Sequence, residues 1–156
     1  MTNYQLHYFV ALLLTSLTTF GLGLFALFLP RRKHIHSIFG LYSLAIAGWS
    51  LLQLLLMFIE NRALGEIVVR ICHVPILLIP AFFLHFIWRL VALRPLDSLV
   101  LINYCVCLAF MAILPSRLFI AGASPSPYLT SNRLPGLFTD PGPLYIWHVS
   151  WFVMIA

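Results

Sequence analysis

Four polar side chains near one end of a long apolar segment recur at a spacing that places them on one helical face. Arg62, Glu66, Arg70 and His73 are separated by 4, 4 and 3 residues, and residues three or four apart are neighbours on a helix. The carboxylate of Glu66 can therefore pair with either arginine. This face predicts a ligand-binding surface that combines both charges with an imidazole.

His73 lies deeper along the same helix, about 13 Å from Leu64 at a rise of about 1.5 Å per residue. A histidine at that depth in a membrane should face a hydrogen-bonding partner or a wet cavity. Two interpretations stay open. The side chain either makes an interhelical hydrogen bond that serves packing, or takes part in ligand sensing or cofactor binding.

A second histidine, His148, lies in the last apolar run at a depth similar to that predicted for His73. The two could face each other if their helices pack together. Histidines ligate both haem and chlorophyll, so haem and chlorophyll are the candidate cofactors for this pair. Two histidines in five helices are too weak a pattern to predict a cofactor. Cys105 and Cys107 are two residues apart and point to different faces of a helix, so no metal site is predicted.

The acidic residues give no support to catalysis. The four acids are Glu60, Glu66, Asp97 and Asp140, and all are predicted at helix ends or in loops. No Ser/His/Asp set, carboxylate pair or phosphate-binding loop stands out. A transporter or proton relay usually carries ionisable groups near the membrane midplane, and none of the four acids is predicted there. The sequence therefore predicts a chain without enzymatic activity of its own.

The composition indicates an integral membrane protein. Of 156 residues, 62% are hydrophobic and 8% are charged, whereas soluble domains are about 45–50% apolar and about 25% charged. The net charge of +5 comes from cations at predicted helix ends, which is typical of topology signals and lipid contact. We therefore expect membrane lipids, and no nucleic acid, as partners.

Hydrophobic runs predict an all-α, polytopic transmembrane bundle that forms a single domain over residues 1–156. Four full helices and the start of a fifth are predicted over residues 7–29, 35–59, 64–93, 96–114 and 144–156. The last run spans only about 20 Å of an apolar core of about 30 Å. We therefore expect the natural protein to continue beyond it.

Basic residues cluster at two predicted turns. Arg31, Arg32 and Lys33 follow the first helix, and Arg89 and Arg94 lie at the end of the third. Loops rich in lysine and arginine stay in the cytoplasm. Both turns are therefore predicted inside, with the amino terminus outside.

Small residues and prolines predict how the helices pack. Gly21 and Gly23 permit close approach of the first helix. The second helix carries a strip of small residues on one face, at Gly40, Ser43, Ala47 and Ser50. Pro75 and Pro80 each remove a helical hydrogen bond and should kink the third helix.

The segment 115–143 contains six prolines and is predicted to be an irregular outer loop, because proline interrupts regular helix. Its apolar residues are expected to lie on the membrane surface or on a partner. They are Leu118, Phe119, Ile120, Leu137 and Phe138.

Three stretches together resemble a known family. They are Leu41 to Gln53 with its LAIAGWS sequence, Arg70 to Trp88 with two prolines followed by FFLHF, and Gly142-Pro143-Leu144-Tyr145. They are similar to the seven-helix N-terminal membrane region of bacterial sensor histidine kinases, which also occurs before diguanylate cyclases. The resemblance implies a sensor with its amino terminus outside and a kinase domain after the seventh helix. The sixth and seventh helices and all kinase motifs lie outside this sequence, so catalysis is not carried over.

Two functions follow as hypotheses. The first is a non-catalytic sensor or input region of a histidine-kinase-like signalling protein in the bacterial cytoplasmic membrane, acting with a homodimer partner or other membrane subunits. The alternative is an accessory structural subunit of a photosynthetic or respiratory complex, in contact with pigment, haem or lipid. The ligand-binding candidates under the first are Arg62, Glu66, Arg70, His73 and His148.

Overall fold

The computed structural model describes residues 3–30, 33–91, 97–125 and 137–155. Within these ranges the chain is mostly helical, with one two-stranded sheet. In chain order the elements are α1 (Asn3–Leu27), α2 (His34–Leu56), α3 (Arg62–Leu90), α4 (Asp97–Ile113), β1 (Ile120–Pro125), β2 (Leu137–Pro141) and α5 (Tyr145–Ile155). Every helix begins and ends within four residues of its predicted bounds.

Three of the described helices are long and apolar enough to cross a membrane. The spans are Leu6–Leu27, His34–Leu56 and Arg62–Leu90. The other two are apolar but shorter, with 17 residues in α4 and 11 in α5. At about 1.5 Å per residue, α4 reaches about 25 Å. The predicted count of four full spans and the start of a fifth therefore stays a prediction.

One end of the bundle is basic. The rings of His34 at the start of α2 and His85 near the end of α3 are 5.7 Å apart, so the turn before α2 and the end of α3 lie at the same end. Lys33 and Arg89 are exposed there. This placement agrees with spans of alternating direction. Arg31, Arg32 and Arg94 lie outside the described residues.

The opposite end of the bundle contains the starts of α1 and α3 and the ends of α2 and α4. Phe9 in α1 meets Phe58, just after α2, with 6.1 Å between ring centroids. Arg70, near the start of α3, donates a hydrogen bond to the carbonyl oxygen of Pro115, just after α4. The start of α1 and the end of α2 therefore meet at that end, as do the start of α3 and the end of α4.

Two glycines let the backbones of α1 and α2 meet. A Cβ built on Gly23 would lie 2.9 Å from the side chain of Leu44, and one built on Gly40 would lie 2.7 Å from the side chain of Leu27. Each would also lie 3.1 Å from the carbonyl oxygen of the other glycine. Without a hydrophobic driving force between helices in lipid, such close approach supplies the van der Waals contact that holds them together.

The rest of the small-residue strip on α2 is also buried, at Ser43, Ala47 and Ser50. Gly21 differs, because a Cβ built there has no neighbour within 4 Å among the described residues. The prediction that Gly21 allows close helix approach is therefore wrong.

Both predicted kink residues lie inside α3, which continues as one helix through Pro75 and Pro80. Polar side chains of α4 reach the backbone beside the second proline. The Nδ2 of Asn103 donates to the carbonyl oxygens of Pro80 and Ala81 at 3.5 and 3.4 Å, and the thiol of Cys107 donates to that of Leu77 at 3.3 Å. These bonds join the two helices in a region where lipid offers no alternative partner.

The prediction of an irregular segment over residues 115–143 is wrong at β1 and β2, which pair antiparallel with a shift in register between Ile120 and Gly122. The strands end at Pro125 and Pro141, and their pairs are Pro125 with Leu137 and Ile120 with Pro141. Proline has no N–H to donate to a ladder of hydrogen bonds. It is tolerated at strand ends because that hydrogen bond is not needed there. The fold is therefore mostly helical rather than strictly all-α.

Two of the five apolar residues predicted on the membrane surface or on a partner are buried inside the fold instead, and the side chains of Leu137 and Phe138 lie outside the described part of the structure. Phe119 and Ile120 are fully buried in the main hydrophobic cluster with Val69 and Leu77 of α3, whereas Leu118 is exposed. The hairpin therefore rests on the bundle through residues that were expected to lie on the membrane surface. Residues 126–136 lie outside the described part of the chain.

The α1–α2 contact yields a test with an internal control. Gly23→Ala and Gly40→Ala should each lower the free energy of unfolding by about 1–3 kcal/mol, because the added methyl group overpacks the helix crossing. Gly21→Ala should leave stability unchanged or raise it, since the new Cβ meets open space and alanine favours helix. Denaturation of each variant in detergent micelles measures the difference. Equal stability of all three variants would contradict the crossing.

Candidate functional site

The predicted polar face of α3 lies at the end opposite the basic turns. Arg62 Nε lies 3.6 Å from Glu66 Oε1, with the arginine side chain 71% and the glutamate side chain 38% exposed. Such an exposed i,i+4 pair contributes only about 0.3–0.5 kcal/mol. The pair is therefore available to rearrange when a charged ligand or a headgroup approaches.

Arg70, one turn further along, is tied to another part of the fold. Its Nη1 donates to the carbonyl oxygen of Pro115. Pro115 lies two residues after the end of α4, and a charged donor makes a stronger hydrogen bond than a neutral one. Arg70 therefore links the first half of α3 to the segment that leads into β1.

The hairpin brings a second carboxylate to this face. A Cβ built on Gly122 of β1 would lie 3.5 Å from Asp140 Oδ2 and 3.7 Å from Glu66 Oε1. Asp140 belongs to β2 and is paired in register with Gly122. Carboxylates of α3 and of the hairpin thus both lie within van der Waals distance of the position that a Cβ on Gly122 would take.

Below the polar face, His148 of α5 is enclosed by aromatic rings. Its ring centroid lies 5.6 Å from that of Phe119, 5.7 Å from those of Phe110 and Tyr145, and 6.0 Å from that of Trp151. Only 3% of His148 is exposed. Both ring nitrogens are buried and have no hydrogen-bond partner among the described residues.

His73 of α3 reaches the same rings from the other side of the interface. Its centroid lies 6.1 Å from that of Phe119 and 5.8 Å from that of Tyr145. Its Nδ1 donates to the carbonyl oxygen of Val69 at 2.7 Å, because a carbonyl can only accept. In the neutral imidazole this bond leaves Nε2 with a free lone pair.

The five predicted site residues thus fall into two groups. Arg62, Glu66 and Arg70 lie at the rim, in contact with each other or with the backbone that leads into β1. His73 and His148 lie in an aromatic cluster that we call the ring cluster, which consists of His73, Phe110, Phe119, Tyr145, His148 and Trp151.

The sequence pattern did not indicate Phe110, Phe119 and Asp140 as parts of this region. Phe119 lies in a proline-rich segment with no periodicity, so no local pattern indicated that it is buried. Asp140 is brought to Glu66 only by the pairing of β1 and β2. Both assignments depend on contacts between distant parts of the chain.

An open apolar groove of about 120 Å³ lies deeper, between α2, α3 and α5. Its lining residues are Tyr42, Ile79, Pro80, Phe83, Phe152 and Ile155. Neither candidate histidine borders it. The groove and the ring cluster are therefore separate features of the described structure.

The chain defines a helical membrane protein whose helices carry a hairpin and a polar rim at one end. A family model described as the N-terminal 7TM region of histidine kinase matches residues 11–156. The chain belongs to this family, which confirms the resemblance stated above, and it is an integral membrane protein. Comparison with curated proteins and with solved structures gave no match.

Gly142, which joins β2 to α5, provides a test of how the hairpin is seated. A Cβ there would lie 2.3 Å from the carbonyl oxygen of Leu118 and 2.7 Å from that of Arg117. Gly142→Ala should therefore lower the free energy of unfolding by at least about 2 kcal/mol, because backbone atoms must move. Gly122→Ala is the matched control, with ordinary contacts of 3.5 Å and beyond. Denaturation in micelles measures both, and similar losses would refute the seating described.

Proposed function

We propose that residues 1–156 form a non-catalytic input region of a histidine-kinase-like signalling protein in the bacterial cytoplasmic membrane. The observation that carries the proposal is the match of nearly the whole chain to the N-terminal 7TM region of histidine kinase. The amino terminus and the hairpin lie outside under this proposal, and the basic turns lie in the cytoplasm. Membrane lipids and a second copy of the chain, or other membrane subunits, are the partners.

The arrangement of the rim supports a sensing role. Arg62 and Glu66 are solvent-accessible at the proposed outer end, whereas Arg70 holds the segment before β1 against α3. A ligand that competes for these charges would change the contact between the hairpin and α3. A ligand can shift an equilibrium only by its differential affinity for two arrangements, which would here be the hairpin seated on α3 and the hairpin displaced from it.

A path for such a change runs from the hairpin into the helices. The Gly142 amide donates to the Phe119 carbonyl at 2.9 Å, and the Leu144 amide donates to the Leu118 carbonyl at 2.9 Å. The hairpin is thereby joined directly to the start of α5, and Phe119 contacts rings of α3, α4 and α5. Displacement of the hairpin would therefore act on three helices together.

The proposed orientation can be tested with reporter fusions. A reporter active only outside the cytoplasm should be active when inserted after Ser124 and inactive when inserted after Lys33, because basic turns stay in the cytoplasm. A reporter active only inside should give the reverse pattern. Equal activity at both positions, or the opposite assignment, would refute the orientation without affecting the fold.

The signalling role is tested on the full-length protein in membrane vesicles. With ATP we expect acid-labile, base-stable phosphohistidine. Arg70→Ala should change its rate of formation at least about threefold, since a charged hydrogen bond of about 1.5–3 kcal/mol is lost. Arg117→Ala is the control, because Arg117 is an exposed arginine near the same end of the bundle that does not belong to the rim.

The absence of any ATP-dependent phosphohistidine would contradict the proposed function. Purification of the native protein as a stoichiometric component of a pigment or respiratory complex would contradict it as well, and would favour the accessory-subunit hypothesis.

A further inference from the structure

Three pairs of rings join α2 to α3 along a line that begins at the basic end of the bundle. In order of depth, the centroid distances are 5.7 Å for His34–His85, 5.5 Å for Phe39–Phe86 and 5.8 Å for Tyr42–Phe83. Residue numbers rise along α2 while they fall along α3, so the two helices run antiparallel and each pair lies further from the basic end. We call this line of ring pairs the α2–α3 seam.

The deepest pair of the seam, Tyr42 and Phe83, lines the apolar groove. At about 1.5 Å per residue, Tyr42 lies about 12 Å from His34 along α2. Half of the hydrocarbon core is about 15 Å thick, so the groove and the basic end belong to the same leaflet. Phe83, Phe86 and Arg89 are three residues apart, so they follow one face of α3 from the groove to the membrane surface.

The size and the lining of the groove restrict what can fill it. Its volume is about 120 Å³, and its walls are aliphatic and aromatic side chains. Pockets that enclose a drug-sized ligand measure about 300–1,000 Å³, so a haem or a pigment is too large for it. A phosphate would lose its hydration there without gaining a partner. The groove therefore suits a slender hydrocarbon chain, the rest of which stays in the bilayer.

The side chains at the surface end of the seam select the headgroup. Lys33, His34 and Arg89 are exposed there. Arg89 Nε donates to His85 Nε2 at 3.5 Å, and this contact does not involve the two Nη groups, with which a guanidinium can also bind a phosphate. The carboxylates whose side chains the structure describes belong to the opposite end, and they are Glu60, Glu66 and Asp140. The charge at the seam is thus complementary to an anion.

We propose that one anionic phospholipid binds along the α2–α3 seam, with its phosphate on Lys33 and Arg89 and one acyl chain in the groove. A single lipid can make both contacts, because they lie on one face and in one leaflet. The chain would also touch Phe152 and Ile155 of α5, the helix to which the hairpin is joined. The cytoplasmic side of the site and its role in signalling rest on the proposed function, whereas binding itself does not.

Binding is measured by native mass spectrometry of the full-length protein, released from micelles and titrated with phosphatidylglycerol or phosphatidylcholine. We expect phosphatidylglycerol to bind at least about fivefold more tightly, because one cation near the surface favours an anionic lipid by about that factor. Arg89→Gln should lower the affinity for phosphatidylglycerol about fivefold. Arg117→Gln is the matched control, since Arg117 is exposed near the hairpin. Equal affinity for both lipids, equal losses in both variants, or displacement by inorganic phosphate would overturn the proposal.

The acyl-chain contact is tested by filling the groove. Ile79→Trp should lower the affinity for phosphatidylglycerol at least about fourfold, the equivalent of one methylene group returned to a less favourable environment. Leu101→Trp is the matched control, because Leu101 lies on α4 and is 65% exposed. A folded Ile79→Trp variant with unchanged affinity would contradict an acyl chain in the groove.

A photoactivatable phosphatidylglycerol with a diazirine in the upper half of one acyl chain locates the lipid in the unmodified protein, even where a variant fails to fold. We expect cross-links in the peptides that contain Tyr42, Phe83 or Phe152, and we expect unlabelled phosphatidylglycerol to suppress them. Cross-links that are spread evenly over all helices, or confined to helices that do not border the groove, would overturn the proposal.

Phosphohistidine formation in phosphatidylcholine vesicles, with and without phosphatidylglycerol, separates the two proposals. A rate that phosphatidylglycerol changes in the unmodified protein but not in Ile79→Trp supports both. Selective lipid binding in a protein that forms no phosphohistidine overturns the proposed function and leaves the lipid site standing. Phosphohistidine formation without selective lipid binding overturns the lipid site alone. An unchanged rate with the lipid bound overturns its role in signalling.

Discussion

The burial of Phe119 is the interaction on which the hairpin end of the structure depends. This ring is fully buried and contacts His73 of α3, Phe110 of α4 and His148 of α5. Aromatic pairs at such distances contribute about 0.5–1.5 kcal/mol beyond the area they bury. A single side chain from a connecting segment thus fills the space where three helices converge. Its backbone also accepts from the Gly142 amide, so the same residue seats the hairpin.

The two halves of the bundle are held together by different means. Between α1 and α2 the contact is one of small residues, with the carbonyl oxygens of Gly23 and Gly40 close to each other's Cα. From α3 onward, aromatic rings and side-chain bonds to backbone carbonyls replace the glycine contact. Buried side-chain atoms without a hydrogen-bond partner among the described residues occur in both parts, at Trp49 Nε1 and Ser50 Oγ of α2 and at Asn103 Oδ1 and both ring nitrogens of His148 in the later helices.

Under the proposed function, the polar rim and the ring cluster act as two levels of one site. The rim contains charged groups that water can reach. The attraction between Arg62 and Glu66 is weak enough for contacts with a ligand to replace it. The ring cluster lies beneath it and contains imidazoles that water does not reach. Arg70 and Phe119 connect the two levels. Arg70 donates a hydrogen bond to Pro115, where the connecting segment begins, and Phe119 is the buried residue at which that segment ends. An input region needs such a connection, because a signal received at the surface has to alter the packing of helices.

The sequence alone determined the class of protein, the positions of the helices and the residues of the rim. These follow from local rules. About 20 apolar residues cross a bilayer, every backbone group in lipid is satisfied within its helix, and residues four apart share a face. For the same reasons the periodicity predicted Arg62, Glu66 and Arg70 as neighbours, and the small-residue strip of α2 as a packing face.

The tertiary structure alone decided how the proline-rich segment folds and what surrounds the histidines. Strands β1 and β2 pair residues that are 12 to 21 positions apart in the sequence. Prolines at the strand ends make the segment resemble an irregular loop in the sequence. Gly21 and Gly23 look alike in sequence, yet only Gly23 meets a neighbouring helix. The shared rings of His73 and His148 depend on the packing of α3 against α5. Such packing is set by shape complementarity between distant segments, and no local pattern encodes it.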